Sequence, residues 1–109
     1  MPSLLRPGQS AQTLVVFQNV GGTTWTGGGP NPFRLGAQNP QDNSTWGQNR
    51  VELPYDVAPG EEVEFQFPVA APTTPGTYHF QWRMVQDGVI WFGDFTSNIP
   101  VVVAPCCDR

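Results

Sequence analysis

Two segments of this 109-residue chain alternate, each setting a row of apolar residues against a mainly polar row. In Glu62–Val69, the apolar set is Val63, Phe65, Phe67 and Val69, while Glu62, Glu64, Gln66 and Pro68 take the other face. In Thr77–Gln86, Tyr78, Phe80, Trp82 and Met84 point one way, and Thr77, His79, Gln81 and Arg83 the other. Successive side chains of an extended strand leave opposite faces, so a period of two buries one face only in a β-sheet. No stretch keeps an apolar period of 3.6 through three turns. The chain reads as all-β.

The rest of the sequence is punctuated accordingly. Proline and glycine number 12 each, which for proline is about twice the usual share. They separate further strand signals. Gln12–Gln18 is a β-branched run between Pro7-Gly8 and Asn19-Val20-Gly21-Gly22. Phe33–Leu35 and Arg50–Leu53 are short strands, and Val101–Val103 is the last. Ala37–Asn49 is rich in Asn and Gln and reads as a long loop. Asp87-Gly88 joins Thr77–Gln86 to Val89–Phe92 with a strong hairpin signal. About seven strands at this spacing define an antiparallel sandwich. Tyr78, just after Pro75-Gly76, stands where such sandwiches place a tyrosine corner. The domain is expected over 1–103, with a tail over 104–109.

Charge narrows the function classes. Five cations, all Arg, face nine acidic residues, for a net charge of −4. With no basic cluster, the chain is not expected to bind nucleic acid. No apolar run reaches the roughly 18 residues of a membrane helix, and no signal peptide is read at Met1-Pro2-Ser3. Cys106 and Cys107 are adjacent, too close for an ordinary disulfide between them. Without further Cys or His at ligand spacing, no metal and no cofactor are expected.

Catalysis is not expected either. The one histidine, His79, falls on the outward face of its strand, without a nucleophile and carboxylate converging on it. Glu61, Glu62 and Glu64 read as a solvated face that discourages edge pairing. The Asn39–Asn43 loop has oxygen ligands but not the calcium-loop pattern, so a hydrogen-bonded Asx-rich loop is expected.

The aromatic residues divide. Trp82 belongs to the inward row with Phe80 and Met84, a core position. Trp46 lies in the polar loop, and Trp91-Phe92 follows the hairpin. Neighbours in a strand face opposite ways, so Trp91 and Phe92 cannot both point inward. Two readings stand for Trp46, Trp91 and Phe92: exposed anchors for a protein or sugar partner, or rings covered by the long loop.

Four segments, in order, carry a resemblance: Asn19–Trp25 (NVGGTTW), Val57–Gly60 (VAPG), Ala71–Tyr78 (APTTPGTY) and Gln81–Met84 (QWRM). Together they resemble the four-tryptophan (FW) domain, the immunoglobulin-like central domain of selective-autophagy cargo receptors. The Gln38–Asp42 loop and the Trp91-Phe92-Gly93 end look like its bacterial branch. The resemblance covers roughly 4–103 and implies an immunoglobulin-like sandwich with Trp25 in its core. The family's tryptophan in the first long strand is Val15 here. The family's extra strand before the first Pro-Gly has only Met1–Arg6 to form it, so the chain looks like a domain excised from a longer protein. The implied function is protein recognition in a bacterial surface or secreted protein, hence an extracellular or cell-surface location. Two other functions compete: a spacer or stalk unit with no ligand, and a carbohydrate-binding module with Trp46 and Trp91 as stacking platforms. An incomplete first strand would also leave an edge open to self-association.

Overall fold

A computed structural model describes residues 1–105; Cys106, Cys107 and the rest of the expected tail lie outside them. All the regular structure described is β-strand. One layer is the pair β2 (Ser10–Gln18) and β5 (Glu62–Ala70), antiparallel along all nine residues from Ser10 opposite Ala70 to Gln18 opposite Glu62. Alternation dictates its faces. Thr13, Val15, Val63, Phe65, Phe67 and Val69 are buried, while Leu14, Val16, Glu62, Glu64 and Gln66 are exposed.

The second layer is built on one long strand. β6 (Gly76–Phe80) and β7 (Trp82–Gln86) are its halves, parted only at Gln81. β3 (Phe33–Ala37) flanks β7 and carries β4 (Arg50–Glu52) on its far side. The return strand is also broken, into β8 (Ile90–Phe92) beside β7 and β9 (Ile99–Val103) beside β6. Between these halves, Thr96 donates its backbone N–H to the Trp82 carbonyl (2.8 Å), and its hydroxyl accepts the Trp82 N–H (2.9 Å). Those two bonds hold the return segment to the same edge. β1 (Leu4–Leu5) then pairs parallel with β9. Joined across the two breaks, the segments are seven strands in two layers, an immunoglobulin-like sandwich.

The hairpin differs from the sequence reading by one residue. Val89 belongs to the turn, donating its N–H to the Gln86 carbonyl at 2.9 Å, and the strand starts at Ile90. Gly88, with φ of 81°, supplies the left-handed residue that the turn requires.

The core is aromatic. Trp82 is fully buried, edge-on to Phe67 (5.2 Å between centroids) and Phe80 (5.8 Å). Phe65, Leu35, Val57, Val63 and Val101 fill the space around it. Burial of each large side chain is worth roughly 1.5–3 kcal/mol. Tyr78 is half-buried and donates its hydroxyl to the Thr74 carbonyl four residues earlier, at 2.6 Å. That bond ties the entering turn to the strand, as a tyrosine corner does.

Candidate functional site: a lateral cleft between two strand edges

The site starts from Asn19, the residue that follows β2. Its side chain is buried (1% exposed). The amide donates to the carbonyls of Thr23 (2.8 Å) and Val57 (3.0 Å), and its oxygen accepts the Gly21 N–H at 3.1 Å. An Asx side chain that bonds backbone two residues on mimics a turn. Here it fixes the Val20–Thr23 loop as a wall. Trp25 follows, bridged to Val57 by both backbone bonds, 2.9 and 3.0 Å. That bridge lays the indole between the layers, where it stacks on Phe33 (6.4 Å) and meets Phe92 edge-on at 5.6 Å.

Beside these rings opens a cleft of about 680 Å³. Its floor is Trp25, Phe33, Met84 and Phe92, one wall is the Val16–Thr23 segment, and the other is Ile90 with Gly93 and Asp94. Val20 and Ile90 stand on the rim, 85% and 59% exposed. A cleft lined mainly by apolar side chains, with a few polar groups (Gln18, Gln86, Asp94) at its mouth, is the usual form of a binding site. Among the described residues, both layers end unpaired beside it: β2 has no neighbour but β5, and β8 none but β7.

The residues singled out from sequence fall in three different places. Trp46 is a correction. It is 2% exposed, donates its indole N–H to the His79 carbonyl (2.9 Å) and meets Phe80 edge-on at 6.1 Å. The long loop does not display this ring; it delivers it to the core. Asn43 makes that possible by bonding the carbonyls of Gln38 (3.0 Å) and Pro40 (2.6 Å) and accepting the Thr45 N–H at 3.1 Å. Trp91 and Phe92 are both half-buried, on opposite faces. Phe92 points inward to the cleft floor. Trp91 lies on the outer face of its sheet under the Arg50 guanidinium, 4.8 Å from the ring centroid. Trp46 and Trp91 therefore form no common platform. Trp25, Phe80, Trp82 and Met84 are buried.

Phe33, Met84, Val20 and Ile90 line or rim the cleft without having been singled out as ligand residues. The signal for the wall was Asn19 ahead of Gly21-Gly22, read as a strand stop. His79 is exposed, with Nδ1 3.0 Å from the Asn98 amide nitrogen and no carboxylate partner among the described residues. Among the described residues, no three His, Cys, Asp or Glu side chains gather to hold a metal. Charges on the outer face pair with one another. Asp87 receives Arg34 at 3.1 Å and Arg50 at 3.0 Å, and Arg34 also lies 3.1 Å from Glu52. The hydrogen bond to Glu52 is the main reason that Arg34 holds its proton more tightly than usual.

Two facing sheets with this topology, a tyrosine corner and a core of tryptophan and phenylalanine define the class: a non-antibody immunoglobulin-like domain. The model of a family described as the Ig-like domain from next to BRCA1 gene matches residues 2–101. The chain belongs to that family, which is related to the four-tryptophan domain. No curated protein matches the chain.

Proposed function

We propose that the domain is a non-catalytic protein-recognition module that takes an extended, apolar segment of another chain into the lateral cleft. One observation carries this reading. The cleft has an aromatic floor and lies between two strand edges that have no neighbours among the described residues. An extended peptide there places alternate side chains on the floor and its backbone along an edge, the two halves of strand-addition recognition. Family membership supports the fold on which this rests, not the ligand.

The competing readings lose their support. A sugar platform needs coplanar exposed rings, and Trp46 is in the core. A bare spacer has no reason to keep Val20 and Ile90 exposed around an apolar floor. Among the described residues, the exposed His79 has a hydrogen-bond contact with Asn98 and with neither a nucleophile nor an orienting carboxylate, which favours a binding role over chemistry. A bacterial, extracellular setting belongs to the same proposal and rests on the sequence resemblance alone.

The test is selection of displayed peptides on the purified domain. Enriched peptides are expected to alternate apolar residues and to bind Ile90→Asp at least ten-fold more weakly. Failure to enrich any peptide, or enrichment indifferent to Ile90→Asp, sinks the proposal.

A further inference from the structure

The two outer edges of the β2–β5 layer are treated in opposite ways. On β5, the Glu64 N–H reaches the Tyr55 hydroxyl (3.3 Å), the Pro68 carbonyl accepts from Gln48 (2.9 Å), and the Ala70 N–H donates to the Trp46 carbonyl at 3.0 Å. Pro68 has no N–H to offer, and Glu62 and Glu64 add charge. These are the means by which sheets block unwanted pairing. The same bonds fix the parity of the ladder. The even-numbered amides of β5 face away from β2, and in this register even residues pair with even residues. The even-numbered amides of β2 therefore face away from β5.

The β2 edge has none of this protection. Its nine residues, SAQTLVVFQ, hold no charge, no proline and no glycine. Among the described residues, nothing hydrogen-bonds the outward amides of Gln12, Leu14 and Val16. The side chains of Leu14 and Val16 are 53% and 46% exposed.

The outward residues also identify the strand that fits this edge. Along β2 they read Gln12, Leu14, Val16, Gln18, a pattern nearly symmetric about Val15. Turned antiparallel about Val15, a second copy sets its Val16 against Leu14 and its Gln18 against Gln12. Apolar faces apolar and amide faces amide. Even residues again meet even residues, so each outward N–H and C=O finds a partner. A register centred on Leu14 would instead set Gln12 against Val16. No charge on either β2 opposes the pairing, although the chain as a whole carries −4.

We infer that β2 is a self-recognition edge: two copies of this domain join β2 to β2, antiparallel and centred on Val15, into one continuous four-stranded layer. The two-fold axis uses up both edges, so the assembly closes as a dimer rather than growing into a fibre. The inference goes beyond the cleft proposal: Leu14 does not line the cleft and Ile90 is not on the β2 edge, while Val16 and Gln18 belong to both, so in the dimer a peptide has only the β8 edge left to pair with.

The experiment is light scattering after size exclusion on the full chain, across a concentration series, with reductant present so that Cys106 and Cys107 cannot link chains. A dimer near 24 kDa, twice 12.0 kDa, is expected. Leu14→Lys places a charge in the apolar pair, and Leu14→Pro removes an N–H that the β2–β5 ladder does not use. Both are expected to return the mass to the monomer value, with Leu14→Lys keeping the wild-type circular dichroism and melting temperature. In a Cys106→Ser/Cys107→Ser background, a mixture of Leu14→Cys and Val16→Cys chains is expected to form mixed disulfide dimers under oxidation, with neither variant linking to itself. A monomer at every concentration, or a dimer indifferent to Leu14→Lys, overturns the inference. Ile90→Asp separates the two proposals: it is expected to abolish peptide binding and leave the dimer intact.

Discussion

Trp91 lies against the backbone of Gly36 so closely that a Cβ at Gly36 would sit 2.5 Å from Cζ3 of the indole. Trp91 is on β8 and Gly36 on β3, with β7 between them. The indole thus spans the outer face of three strands and ends under Arg50, which pairs with Gly36 across β3 and β4. Gly36→Ala is expected to push the ring away. Stability changes little, because replacing a strand glycine gains about 0.5–1 kcal/mol and losing the cation–π contact costs about the same. The decisive readout is tryptophan emission, expected to shift to the red as Trp91 gains water. Unchanged emission would mean that the ring does not rest on Gly36.

The layers were legible in the sequence because Glu62–Val69 and Thr77–Met84 alternate, and alternation is imposed by water on one face and core on the other. Trp46 was not legible. Its neighbours are polar, and polarity near a tryptophan says nothing about whether the loop turns it outward. Asn43 decides that through bonds to backbone at Gln38 and Pro40, which no apolar pattern records. The cleft was hidden for a similar reason. Phe33, Met84 and Phe92 come from three strands, and only the sheet order brings them under the wall that Asn19 sets.

Two of the three core tryptophans make opposite use of their indole nitrogens. Trp46 donates to the His79 carbonyl, whereas Trp82 Nε1 is buried with no partner among the described residues. Phenylalanine in either place leaves a cavity and removes the N–H. At Trp46 this also costs a hydrogen bond; at Trp82 it removes an unsatisfied donor. Trp46→Phe is expected to be more destabilising than Trp82→Phe, by about 1–2 kcal/mol. Urea titration of both variants checks the order, and equal costs would mean that Trp82 Nε1 has a partner in solution.

Asp87 sits between two arginines, at 3.1 Å from Arg34 and 3.0 Å from Arg50. Its side chain is only a quarter exposed, so the pairs are shielded more than an ordinary surface bridge. Asp87→Asn removes the charge while keeping the shape. A loss of about 1 kcal/mol is expected at low salt, and it should shrink as ionic strength rises. Melting temperatures at two salt concentrations measure this, and a loss independent of salt would assign the role of Asp87 to the turn instead.

Asn19 connects stability to the site more directly than any other residue. Its buried side chain closes three hydrogen bonds, a buried one to Val57 and partly buried ones to Thr23 and Gly21. Alanine would take the side-chain partner from the Thr23 carbonyl and the Gly21 N–H and leave the Val57 carbonyl with the Trp25 N–H alone. A single unsatisfied buried group costs about 1–3 kcal/mol, but the loop end can relax toward solvent, so a total of about 2–4 kcal/mol is expected. The cleft wall should loosen with it. Peptides selected on the wild type are therefore expected to bind Asn19→Ala more weakly even at temperatures where the variant is fully folded. Hydrogen exchange supplies the mechanism check: the Gly21 amide, which Asn19 holds, should lose protection while those of β5 keep it. If peptide binding survives with the loop unprotected, the Val20–Thr23 segment is not part of the recognition surface, and the floor around Trp25 and Phe92 carries it alone.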